Sequence, residues 1–112
     1  MEDLPEALAD VATTVHDFNT GEQLAAGHAN ITFVPHTDRL RVRRQLFEGT
    51  FVPDAEADAE ALRQHLLRGL SQGAPALSLY VDYAGETWVF VAKLELGDLS
   101  FPLSGRAEPK RL

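Results

Sequence analysis

Five residues stand out as the ones best able to do chemistry: His28, Asn30, Arg39, Arg41 and Arg43, on alternate positions of two neighbouring stretches. Guanidinium forks match phosphate and carboxylate oxygens, and an imidazole beside them adds a titratable donor. The set defines a candidate anion-binding strip. A plainer explanation competes with it, since cations on an edge strand guard against aggregation and pair with a protein's own acids. The other histidines are scattered: His16 shares a face with His28, His36 falls in a turn, and His65 stands beside a leucine stripe. None has a histidine partner at helical metal-site spacing. With no cysteine in the chain, thiolate ligands and cysteine nucleophiles are excluded. No nucleophile elbow, Walker loop, dinucleotide fingerprint or calcium loop is present. No catalytic residue, metal or cofactor is therefore assigned, and an enzyme is disfavoured.

A second set could bind rather than react. Tyr80, Trp88, Phe90, Leu94 and Phe101, with Leu96 and Leu103, fall on the sheet side that a single helix would leave bare. Aromatic side chains bury ~150–250 Å² each, so such a patch needs a cover. The expected cover is a second copy of the chain, giving a dimer. The alternatives are another protein or an apolar ligand, or an internal cap in which a short N-terminal helix folds over with Leu4 and Leu8.

These assignments depend on the elements that carry the residues. Asp3 to Asp10 has the spacing of a short capped helix, or forms a flexible lead. Val11 to Phe18 alternates as a strand. Asn19-Thr20-Gly21 then reads as a hairpin loop with its glycine at a left-handed position. That loop pairs Val15 with Ala25 and Val11 with Ala29. A turn at Pro35-His36-Thr37-Asp38 would pair Phe33 with Leu40 and Ile31 with Val42, leaving the arginines opposite Thr32 and Asn30. Arg44 would then point to the apolar side.

Pro53-Asp54 opens a helix to about Leu70, with Ala55, Ala59, Leu62, Leu66, Gly69 and Leu70 in one stripe. The row Ala25, Gly27, Ala29 is small enough to receive it. A further hairpin around Tyr83-Ala84-Gly85 would pair Tyr80 with Trp88 and Leu79 with Val89. Thr87 to Ala92 is apolar on both sides, as in a strand covered on both faces. Pro102 marks a last strand, Leu99 to Leu103, as an edge.

The predicted class is α+β. Its antiparallel sheet has five to six strands in the order three strands, helix, two or three strands, with the helix packed on one face. Residues 1–104 form one domain and 105–112 a polar tail. This order is similar to that of the small type III secretion chaperones, acidic dimers that bind other proteins. The likeness lies in element order alone and assigns no residue.

Composition narrows the function classes. Seventeen acidic against ten basic residues give a net charge of −7, which disfavours nucleic acid. The charge is uneven: residues 1–38 hold seven carboxylates and no lysine or arginine, and 39–47 hold four arginines. No apolar run approaches the ~20 residues of a membrane span, and the acidic start with Pro5 is unlike a secretory signal. The expectation is a small acidic, soluble, cytoplasmic interaction protein. The alternative is a small-ligand or anion-binding domain.

Overall fold

The computed structural model describes residues 7–37, 43–70, 76–105 and 110–111, with side chains for all of these except 34–37, 43–45, 70 and 110–111. Strand β1 runs Ala7–Asp17, with Val15 and Thr13 buried by the period-2 alternation of a strand. Residues 7–10 are thus strand, which overturns the short helix there. Residues 1–6 lie outside the described residues. A bulge between Leu8 and Val11 puts Asp10 at φ 50°, and its N–H donates to Asn30 Oδ1 at 3.0 Å. The amide that the bulge removes from the ladder is thereby satisfied.

The first hairpin has the expected core register, Val15 opposite Ala25 and Val11 opposite Ala29. Gly21 adopts φ +77°, the left-handed conformation that glycine reaches without steric cost. Asp17 organises the loop, since its Oδ1 accepts the N–H groups of Asn19 at 2.8 Å and Thr20 at 2.9 Å. These bonds hold its carboxyl below the usual carboxylate value, Thr20 contributing most and His65 a smaller electrostatic part. A second irregularity sets His16, rather than Asp17, opposite Gln23.

Strands β2 (Gln23–Thr37) and β3 (Arg43–Pro53) correct the second turn. Pro35, His36 and Thr37 continue β2, opposite Gln45, Arg44 and Arg43. Residues 38–42, with Arg39 and Arg41, lie outside the described residues. Phe33 pairs with Phe47 and Ile31 with Gly49, not with Leu40 and Val42. The two registers differ by an odd number of residues, so every β3 side chain changes face. Phe47 and Phe51 are buried, and Val52 faces out at 42% exposure.

Helix α1 (Glu56–Leu70) has the expected apolar stripe, Ala59, Leu62 and Leu66 being buried. It packs on β2 and, less extensively, on β3. Glu56 and Asp58 lie in its first turn and Arg68 in its last, complementing the dipole. Arg63 pairs with Glu60 at 2.7 Å and Glu56 at 3.1 Å, and donates to the Asp98 carbonyl at 2.5 Å. Gln64 and Arg63 together hold the Glu60 carboxyl low.

Strands β4 (Leu77–Tyr83) and β5 (Glu86–Leu94) are joined by Ala84-Gly85. Both turn residues have positive φ, 53° and 79°, as in a type I′ turn. The loop therefore has two residues, not three. Tyr83 pairs with Glu86, Val81 with Trp88 and Leu79 with Phe90. The one-residue slip moves Phe90, Ala92 and Leu94 inward, and leaves Val91 39% exposed. The expectation that β5 is covered on both faces fails for this reason.

Strand β6 (Phe101–Gly105) pairs with both β3 and β5, so the strand bearing Pro102 is not an edge. The Pro102 carbonyl accepts the Glu95 N–H at 2.8 Å. A Cβ on Gly105 would collide with the Phe47 ring, so only glycine leaves that ring its place. A two-residue strand, β7 (Lys110–Arg111), pairs with Val89 and Trp88.

The order β4-β1-β2-β3-β6-β5 is completed by a β4–β5 pairing, which closes six antiparallel strands into a small barrel. Among the described residues the molecule is mostly β, with one helix between β3 and β4. Closure removes sheet edges and corrects the picture of an open sheet with one bare face. The interior is filled. Phe33, Phe47 and Phe90 meet at ring-centroid distances of 5.4 to 6.2 Å, with Phe51 and Phe101 fully buried. Fully burying each such side chain contributes roughly 1.5–3 kcal/mol. No described helix is long and apolar enough to cross a membrane.

Candidate functional site

Small residues on the outer face make a depression. Thr14 of β1 lies between Ala26 of β2 and Tyr80 of β4, and Ala12 lies opposite His28. Larger side chains rise around this floor, notably His16, His28, Asp54, Tyr80 and Asp82. Together they enclose a groove of about 390 Å³. With the barrel interior filled by phenylalanines, a small molecule has room on the outside, in this groove or in a second of about 430 Å³ lined by Thr32, Glu48, Thr50, Glu95 and Ser104. Only the first brings imidazoles and carboxylates together.

Two imidazoles are held in defined tautomers in their neutral forms. His16 Nδ1 lies 3.1 Å from the Gly21 carbonyl, which can only accept, so Nδ1 carries the proton. Its Nε2 then accepts the Thr14 hydroxyl at 2.8 Å. The same ring packs on Tyr80 with centroids 4.3 Å apart, tilted by 51°. His28 Nδ1 lies 2.8 Å from Asp54 Oδ1, so it donates there and its Nε2 becomes an acceptor. Asp54 is positioned by its own N–H, which donates to the Ala26 carbonyl at 3.0 Å. On the far rim, Asp82 Oδ1 accepts the Thr87 hydroxyl at 2.9 Å. An imidazole oriented by a carboxylate can accept a proton from a bound group or hydrogen-bond a ligand donor.

Of the strip proposed for anions, the described members His28, Asn30 and Arg43 are not brought together. His28 lies opposite Val52 and Asn30 opposite Thr50, whereas Arg43 lies opposite Thr37. Nine residues of strand separate His28 from Thr37, roughly 30 Å. Arg39 and Arg41 lie outside the described residues, and Asn30 Oδ1 is engaged by Asp10. The aromatic set is divided as well. Phe90, Leu94 and Phe101 are buried in the barrel, Trp88 is half-buried against the same core, and Tyr80 alone joins the groove. Placing Phe90, Leu94 and Phe101 on an outer partner-binding face is therefore corrected. Among the described residues, no group of three or more histidines and carboxylates could hold a metal ion.

Sequence reasoning set His16 and His28 on one face but read Asp54 as a helix start and did not connect Asp82 with them. The pairing of β1 with β4 brings them together, across a crossover that periodicity does not describe. No protein-family model, curated protein or solved structure matches the chain.

Proposed function

We propose that this barrel is a binding module for a small polar molecule, held in the outer groove of β4, β1 and β2. The observation that carries this is the convergence of His16, His28, Asp54, Tyr80 and Asp82 around a floor of small residues. Such a cavity lies within the ~300–1,000 Å³ range of ligand sites and has few, oriented polar groups. Binding is favoured over catalysis because the His28–Asp54 pair lies on an open face, with side chains 41% and 57% exposed, where water competes for every polar contact. A groove ligand is preferred over self-association through the expected aromatic set, because Phe90, Leu94 and Phe101 of that set are inside.

Ala26 allows a direct test, because its side chain faces the groove rather than the core. A fragment library screened by NMR should give hits that shift the His28 and Tyr80 resonances. Those shifts should vanish in Ala26→Phe, which fills the depression while the spectrum of the core is retained. Hits unaffected by Ala26→Phe would place binding elsewhere and overturn the reading.

A further inference from the structure

Resting on that reading, we infer the class of ligand: a small organic cation with N–H donors, of the primary-amine type, with an apolar body. The groove's two carboxylates, Asp54 and Asp82, only accept, beside Gln23 and the Tyr80 hydroxyl, which can donate or accept. In its neutral form His28 presents Nε2 as an acceptor, because Asp54 takes the proton-bearing Nδ1. Asp54 and Asp82 each have a carboxylate oxygen beyond the one bonded to His28 or Thr87. His16 adds no competing donor at its ring nitrogens, since both are engaged by Thr14 and Gly21.

Charge points the same way. The lining includes Asp54 and Asp82 but no lysine or arginine, in a chain of net charge −7. An anion entering there would meet repulsion from both the rim and the whole molecule. The His16–Tyr80 ring pair offers an aromatic wall, which suits the apolar body of an amine and attracts its charge. The two carboxylates, which set both acceptor direction and charge sign, and the aromatic wall together select a donor-rich cation over a phosphate or carboxylate.

Three probes with one ring and different charges test this: benzylammonium, benzyl alcohol and benzoate, titrated into the full chain at neutral pH by NMR. Benzylammonium should give saturable shifts at His28, Tyr80 and Thr87. Asp82→Asn should weaken it about tenfold, the usual loss when a charge-assisted bond becomes a neutral one. That variant keeps an oxygen for the Thr87 hydroxyl, so the fold is retained, and an unchanged amide spectrum away from the groove confirms it. Shifts at the same residues with benzoate or benzyl alcohol, equal to or stronger than those with the amine, would overturn the cation assignment and leave the groove standing. Groove residues unmoved by all three would overturn both. Benzylammonium binding that is indifferent to Asp82→Asn would overturn the role given to the carboxylate rim.

Discussion

Asp17 shows how one side chain ties loop geometry to stability. Its carboxylate accepts two loop amides and lies 3.7 Å from His65 Nε2 on the helix. The folded state therefore favours the charged form and lowers its pKa. A lowered carboxylate contributes stability fully above its unfolded value, about 3.9. That contribution is lost as pH falls through the lower folded value. Asp17→Asn can still accept the amides but has no charge to lose. The variant should be less stable than wild type at neutral pH, and the gap should close below about pH 4. Denaturant titrations across a pH series measure this, and a gap independent of pH would show that the charge is irrelevant.

At the level of elements, the turns decided what could be read. Gly21 marked the first loop, and the pairs Val15–Ala25 and Val11–Ala29 are as expected. The loop between Asp17 and Glu22 nevertheless has four residues rather than three, and the irregularity at His16 restores the register. The second hairpin misled because Pro35 is a common turn residue, yet it lies within β2 opposite Gln45. Both Leu40-Val42 and Phe47-Phe51 give apolar alternation, so pattern alone admits two registers of opposite face. The third hairpin turned on Ala84, an alanine in a conformation that L residues with a Cβ avoid at a cost of roughly 1–2 kcal/mol. The helix was legible throughout because its stripe and charge order agree. Ala84→Asn would give the Asn-Gly sequence that type I′ turns prefer. It should stabilise the protein by roughly 0.5–1 kcal/mol, raising Tm by about 2–6 °C. Thermal unfolding followed by circular dichroism checks it, and a fall in Tm would contradict the assigned turn.

Across the whole molecule, closure changes the meaning of the apolar residues. An open sheet with one helix would leave its aromatics bare and in need of a second subunit. Closing β5 onto β4 puts Phe90, Leu94 and Phe101 in the same core as Leu62 and Leu66. The large apolar side chains left outside are spread over several elements, among them Phe18, Val52, Leu67, Val91 and Leu99. A mass near 12.3 kDa across a concentration series by light scattering is the expected outcome. A stable dimer would mean that some of these exposed residues form an interface. The candidate site was legible only in pieces, since its parts are 66 residues apart between Thr14 and Tyr80 and meet through a long-range pairing.

The alternation of inward and outward residues has one more consequence, for how such a chain can change. Residues facing inward answer to packing, while Ala12, Thr14, Ala26 and Ser78 face outward on adjacent strands. Selection, or a combinatorial library, could vary those four positions freely without disturbing a single phenylalanine of the core. The barrel then behaves as a fixed chassis with an interchangeable panel, on which new recognition can arise by drift at a few surface codons.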